Sequence, residues 1–439
     1  MANRRMRLVA GLQTGPTMQN QGMWRHPETV NGFLDPAFYE HIARTLEQGM
    51  FDALFFADTL TIADRYRGSH EPTMEHGGQF SLLDPVPVIA IMARVTQRIG
   101  LGLTMSTTFH HPFQLARVLG SLDVLSGGRL AWNVVTSAEA SAARNFGTDK
   151  LPARDARYDQ ADEVVEACLA LWHGWDHDAL KIDKDSGVFA DPSKVRAANY
   201  VGEFVRSRGP LNVPRSPQSH PVLMQAGASP RGRAFAARWA ELIFTIQYDR
   251  DGMRSFYDDV KGRMATHGRA PEDCAILTSI DVIIGETESI AREKQSFANS
   301  LVSLEQGLGL LSSHVGIDLS TFALDRPLAE LNEADGSLGS LLIVMQGTIA
   351  EGLTLRQAAL RYATSQLCPQ LVGTPDGIAD QMQDLFESGG CDGFILNATV
   401  MPGTFEQFVR AVVPELQRRG LMRTAYPHRT LRENLRGLT

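Results

Sequence analysis

The sequence predicts an α/β fold: a TIM (β/α)8 barrel forming one domain over residues 1–439, with long insertions at its C-terminal mouth. Three observations carry this expectation. Short apolar runs alternate with longer helical patterns, which implies parallel strands joined by crossover helices. Eight strand candidates appear, at Leu8, Asp52, Ile99, Leu130, Val222, Leu242, Ile276 and Phe394, and that count favours a closed barrel over an open doubly wound sheet. The strands are apolar throughout rather than alternating, as expected when both faces are covered.

The elements follow in order. Residues 8–12 read as the first strand. Residues 36–48 read as a helix, with Asp35 as N-cap and Gly49 as its stop. The run 52–57 has strand length, and 84–95 is helical with Asp and Pro at its start. The next strand and helix are 99–105 and 112–125. Gly127 and Gly128 make the turn into the strand 130–135. The long helix 156–173 places Ala161, Val164, Val165, Cys168, Leu169, Leu171 and Trp172 on one stripe. Later strands are 222–226, 242–246, 276–284 and 394–397. The helices 230–238, 252–267, 289–304, 376–388 and 405–418 are interleaved with them. Three stretches exceed the minimal repeat, at about 59–83, 174–220 and 305–372. Insertions of that length are usually lids or extra structure. The first carries Arg65, Tyr66, Arg67, His70, Glu71, Glu75 and His76, and is expected over the mouth.

Composition narrows the function. Lys plus Arg is 42 and Asp plus Glu is 50, giving a net charge of −8 with no long run of one sign. A nucleic-acid partner is disfavoured, because phosphate backbones need a concentrated basic face. No apolar run reaches membrane-spanning length and no signal peptide opens the chain, so the cytoplasm is the expected compartment. Cys168, Cys274, Cys368 and Cys391 form no C-x-x-C pair and read as buried thiols, and no metal site is expected.

Polar residues gather at the C-terminal ends of four successive strands, where a barrel places its site. They are Asp58 after the second, Thr104 to Thr108 after the third, Asn133 to Ser137 at the fourth, and Gln225 to Ser229 at the fifth. The turn Gly227-Ala228-Ser229-Pro230-Arg231-Gly232-Arg233 is the sharpest local feature. Ser229 suits an N-cap and Pro230 the first helical position. The free N–H groups of that helix start suit an anion such as phosphate, with Arg231 or Arg233 adding charge. The same pattern also serves a capped helix and nothing more. Tyr158 either reaches such a phosphate or packs at a helix start. No P-loop, G-x-G-x-x-G fingerprint, H-E-x-x-H or G-x-S-x-G motif is present.

Several segments together resemble the luciferase-like FMN-dependent monooxygenases. They include Trp24-Arg25-His26-Pro27, the run 51–58, Ser106-Thr107-Thr108-Phe109, Ala131-Trp132-Asn133-Val134-Val135-Thr136-Ser137, Arg157-Tyr158-Asp159, Gln225-Ala226-Gly227 and Pro402-Gly403-Thr404-Phe405. The similar branch includes the nitrilotriacetate, dibenzothiophene sulfone and long-chain alkane monooxygenases and a pristinamycin synthase. The resemblance implies a bacterial-luciferase-like barrel with an FMN site at its mouth. Asp58 and Thr104 would lie near the flavin ring, and Asn133 and Ser137 would line its side of the pocket. Tyr158, Ser229 and the backbone of Ala228 would hold the phosphate, together with Arg154, where relatives often carry His. The implied chemistry is oxygenation by reduced FMN and O2. With no nicotinamide fingerprint in the chain, a separate NAD(P)H:FMN reductase would supply the flavin. A homodimer or homotetramer is implied as well.

Thr14, Arg25, His26, His110 and His111 are the candidate substrate contacts. With Arg65 and Arg67 further out, they suit a polar substrate, a carboxylated amine or an organosulfur compound cleaved at C–N or C–S. The alkane enzymes carry Cys near Thr14, which weakens an alkane role. Two rival readings keep the fold: an oxidoreductase using deazaflavin F420, and a non-catalytic flavin-binding protein.

Overall fold

The computed structural model describes residues 4–328 and 351–436. Eight parallel strands close a barrel: β1 (Arg7–Gln13), β2 (Ala53–Ala57), β3 (Gly100–Ser106), β4 (Leu130–Val135), β5 (Val222–Gln225), β6 (Leu242–Thr245), β7 (Ala275–Ile284) and β9 (Gly393–Asn397). The ring shuts where β6 meets β7 and where β9 returns to β1, with Arg7 opposite Gly393. All eight lie where the apolar runs place them. A ninth strand, β8 (Gln370–Gly373), pairs outside the ring with the distal half of β7. It lies inside the stretch expected as insertion, and four residues with only two fully buried leave no pattern to read.

Local chemistry starts the helices. α1 (Pro36–Gln48), α2 (Pro85–Val95), α3 (Pro112–Leu125), α5 (Pro230–Trp239) and α10 (Pro375–Glu387) each begin with proline, behind Asp35, Asp84, His111, Ser229 and Thr374. Proline lacks the N–H that the first helical position cannot pair, and the preceding side chain accepts a first-turn amide. Between them run α4 (Arg154–Trp172), α6 (Arg250–Met264) and α7 (Glu288–Ser300). The helix expected over 289–304 stops at Ser300. Ser303 then starts α8 (Leu304–Val315) through a reciprocal capping box with Gln306.

Side chains alternate along each strand. Leu8 and Leu12 face the helices, whereas Val9, Phe55, Ala131, Met224, Leu277 and Ile395 fill the barrel interior. Leu431 and Leu435 of the terminal helix join that interior cluster and plug its foot. A Cβ on Gly100 would meet Leu431 Cδ1 at 2.5 Å. Position 100 therefore needs glycine for this close approach.

The insertions divide. Segment 59–83 packs with α8 and α9 (Leu355–Ser365) around a separate core that includes Tyr66, Leu308, Leu311, Leu355 and Tyr362. Gln306 Nε2 donates to the carbonyls of Gln21 and His76, and Gln366 Nε2 to Met18 O at 2.8 Å, so this module is fastened to the loop leaving β1. Of the third expected insertion, 329–350 lies outside the described residues. Segment 174–220 departs from the expectation of a mouth insertion. It lies along the outside of α3 and α4, where Glu163 accepts the amides of Glu203, Phe204 and Val205. Ser216 and Gln218 bind the Asp123 carboxylate on α3. Length alone could not separate a lid from a flank.

Candidate active site

Strand alternation aims Thr104 and Asn133 into the barrel, two register pairs above Gly102 and Ala131. Asn133 Nδ2 donates to Thr104 Oγ1 at 2.9 Å, and that hydroxyl donates to Phe56 O at 2.9 Å. Just beyond, Ser137 donates to Ser106 Oγ at 2.9 Å. Ser137 has φ +50°, a left-handed backbone that costs a non-glycine residue about 1–2 kcal/mol. Strain of this kind persists where surrounding structure fixes it, and it turns the hydroxyl toward the mouth.

Asp58 ends β2 half-buried. Burial raises its carboxyl to about 6, with Asp84 adding to the rise and a hydrogen bond from Ser81 opposing it. Ser81 also ties the insertion to the strand end, exchanging bonds with Thr59 at 3.2 and 3.1 Å. Above them Glu139, Gln79 and His314 line a narrow cavity beneath α8. Glu139 accepts from Ser313 at 3.1 Å, and burial raises its carboxyl. His314 contacts the Tyr362 hydroxyl through Nδ1 at 2.7 Å, and enclosure by the protein lowers its pKa to about 4.

A second cluster forms between α4 and the fifth-strand turn. Ser229 caps α5 by accepting Gly232 N at 3.1 Å. The Tyr158 hydroxyl sits against Gly227 and Gly232: a Cβ there would come within 2.5 and 2.7 Å of it. Burial raises the Tyr158 pKa, against hydrogen bonds with Ser229 and Thr136 and the charges of Arg154 and Arg157. Among the described residues, the amides of Gly227, Ala228 and Ser229 find no backbone acceptor. Three free N–H groups, two hydroxyls and a helix N-terminus make an anion cradle.

The arginines of the turn do not serve it as expected. Arg231 is held by Asp159 and Asp162 at 2.9 and 2.5 Å, and Arg233 by Asp259 at 3.1 Å. Arg154 stands exposed beside Tyr158 without an ion-pair partner among the described residues.

The substrate candidates scatter. Thr14 is fully buried and exchanges hydrogen bonds with the backbone of Leu83, clamping the insertion's end. His110 stays at the rim against Phe146, its pKa lowered by burial against the pull of Asp84. His111 does not face the pocket. Its Nδ1 caps Phe113 N and its Nε2 contacts Arg206 O, so the histidine next to Pro112 is a helix cap. Arg25 donates to Leu301 O, and His26 meets Phe297 edge-on at 5.3 Å in an outer groove against α7. Both therefore lie apart from Asp58 and Asn133. Arg67 lies over the Tyr66 ring, and its amide donates to Asp318 on the outer side of the insertion.

Sequence reasoning passed over Ser81, Glu139 and His314. It also passed over Gln13, Asp281 and Asn397, which the end-of-strand rule reaches once it is applied to the first, seventh and last strands.

Among the described residues no helix is long and apolar enough to cross a membrane. A family model described as luciferase-like monooxygenase matches residues 17–393. The chain is 44% identical to a dibenzothiophene-sulfone monooxygenase of Rhodococcus erythropolis, over 98% of this chain and 96% of that one. It is 40% identical to a nitrilotriacetate monooxygenase component of Aminobacter aminovorans, over 94% and 93%. The crystal structure of DmoA from Hyphomicrobium sulfonivorans superposes with a TM-score of 0.92 at 37% identity, covering 99% of this chain and 92% of that one.

Proposed function

Because the chain belongs to the luciferase-like monooxygenase family, we propose that it is the oxygenase component of a two-component system, using reduced FMN and O2 to oxygenate an uncharged organosulfur compound with C–S cleavage. The observation that carries the cofactor is the anion cradle. Tyr158, Ser229, the Gly227–Ser229 amides and Arg154 match a phosphate monoester, and they sit one strand from the polar ring-side set of Asp58, Thr104, Asn133 and Ser137. Bound reduced FMN supplies the electrons that activate O2. The protein's own residues orient the ring, hold a proton at Asp58 and keep water out beneath α8.

Charge at the mouth bears on the substrate. The side chains around the ring-side set are amides, hydroxyls, acids raised toward their neutral forms, and histidines lowered toward theirs. Among the described residues no lysine or arginine lines the cavity beneath α8. Of the residues behind the expectation of a carboxylated amine, His26 lines the groove against α7 and Arg25 is tied to Leu301 O. Burying a carboxylate without a cation is costly, so the site suits an uncharged sulfur compound. The 44% identity to a sulfone monooxygenase supports the same choice.

The test is anaerobic titration with reduced FMN and, in parallel, reduced F420, followed by 18O2 and an organosulfur panel headed by dibenzothiophene sulfone. Reduced FMN binding and labelled product are expected. Preference for F420 overturns the cofactor. FMN binding without labelled product from any compound favours a non-catalytic flavoprotein. NADH oxidation by the chain and FMN alone overturns the separate reductase.

Asp58 gives a pH prediction. Its carboxyl is neutral below about 6 and ionised above. A ring laid over it desolvates it further and favours the neutral form, so by linkage FMN affinity falls as pH rises through about 6. The affinity difference between wild type and Asp58→Asn should follow that single titration. A pH-independent difference removes Asp58 from the ring site.

A further inference from the structure

Three strands bring unpaired polar groups into the barrel interior. On β1, β7 and β9, Val9, Leu277 and Ile395 belong to the interior core. Two-residue periodicity then aims Gln13, Asp281 and Asn397 inward at the mouth end. Register places Gly11, Asn397 and Asp281 side by side, and Gln13 one layer closer to the mouth. Asn397 Nδ2 donates to Ser279 Oγ, Ile280 O and Asp281 Oδ1 at 2.8, 3.3 and 3.0 Å. Its Oδ1 fills the space a Gly11 side chain would take, 2.5 Å from that Cβ position.

The cluster is unfinished. Gln13 Nε2 and Oε1, Asp281 Oδ2 and Asn397 Oδ1 are buried without a hydrogen-bond partner, and the three residues are 6%, 1% and 0% exposed. Native interiors pair such groups, so four orphaned atoms in one cluster mark a place where something polar is received. Burial raises the Asp281 carboxyl, and burial and the Asp281 charge raise the Cys368 thiol as well. With Asp281 Oδ1 accepting from Asn397, a proton favoured by that burial sits on the unpartnered Oδ2, which makes it a donor beside the Gln13 amide nitrogen.

We propose that Gln13 and Asp281, the latter positioned by Asn397, form the polar floor of the substrate pocket and receive an uncharged group bearing acceptor oxygens, such as a sulfone. This rests on the organosulfur reading above. Two donors match two sulfone oxygens. A thioether or hydrocarbon of the same shape leaves the donors unmet, the situation in which sites built for hydrogen bonding discriminate most strongly.

The test is equilibrium binding to the full chain by calorimetry, with dibenzothiophene sulfone, dibenzothiophene and fluorene as probes. Wild type should bind the sulfone at least about tenfold more tightly than the other two. Gln13→Met, similar in shape, should reduce that preference, and Gln13→Met/Asp281→Leu should equalise the three. Asp281→Asn, whose amide still donates, should keep the preference. Equal wild-type affinities, or a preference that survives Gln13→Met/Asp281→Leu, overturn the floor assignment while leaving the substrate class standing. Failure to bind any probe removes the class and the floor together.

Discussion

Gly227→Ala is expected to weaken FMN binding by at least about a hundredfold and to leave riboflavin binding nearly unchanged. The added Cβ would lie 2.2 Å from Gln225 Nε2, 2.5 Å from the Tyr158 hydroxyl and 3.1 Å from Gly232 Cα. The first two are shorter than real Cβ contacts and the third is tight, and Gly232 Cα belongs to the backbone of α5, so the cradle has little room to widen on that side. Tyr158 must swing out, which removes its hydroxyl and misplaces the free amides. Hydrogen bonds to a charged group contribute about 1.5–3 kcal/mol each, and losing two gives the stated factor. Flavin fluorescence titration measures both ligands. Gly232→Ala, with its Cβ 2.7 Å from the same hydroxyl, should behave alike. A Gly227→Ala protein that melts normally and binds FMN as wild type does would move the phosphate elsewhere.

This cradle was legible because its signal is local: a strand end, a small-residue turn, a capping serine and a proline within a few positions. The barrel was legible for the same reason, since each strand is a continuous apolar run and five of its helices begin at a capped proline. What escaped depends on partners distant in sequence. Nothing near Arg231 shows that Asp159 and Asp162 of α4 claim it. His111 reads as a pocket residue until its other ring nitrogen is seen against Arg206 O. Arg25 and His26 follow a strand that does end at the mouth, yet the loop carries them to the outer wall. Asp281 had a sequence signal, an acid inside the apolar run Ile280-Asp281-Val282, which gains meaning only beside Asn397 on a neighbouring strand.

Asp52→Ala should be the most damaging single change to stability, costing about 3–5 kcal/mol. Asp52 and Arg423 are each 2% exposed and paired at the foot of the barrel. Asp52 Oδ2 accepts Leu8 N at 2.8 Å, which fixes the start of β1, and Arg423 NH2 also donates to Asn434 O at 3.2 Å, which holds the terminal plug. Arg423 Nε and NH1 have no hydrogen-bond partner, and the guanidinium lies 5.2 Å from the Tyr426 ring centre. Removing the carboxylate leaves a buried cation with one carbonyl and one ring face, so the loss reflects mainly an uncompensated charge rather than the worth of the pair. That distinction is measurable in urea denaturation. Asp52→Ala/Arg423→Met, which removes both charges, should recover much of the lost stability, because apolar replacements of buried pairs are often neutral. A double variant no more stable than Asp52→Ala would show that the pair acts through the hydrogen bonds anchoring β1 and the plug, and that the stranded charge contributes little.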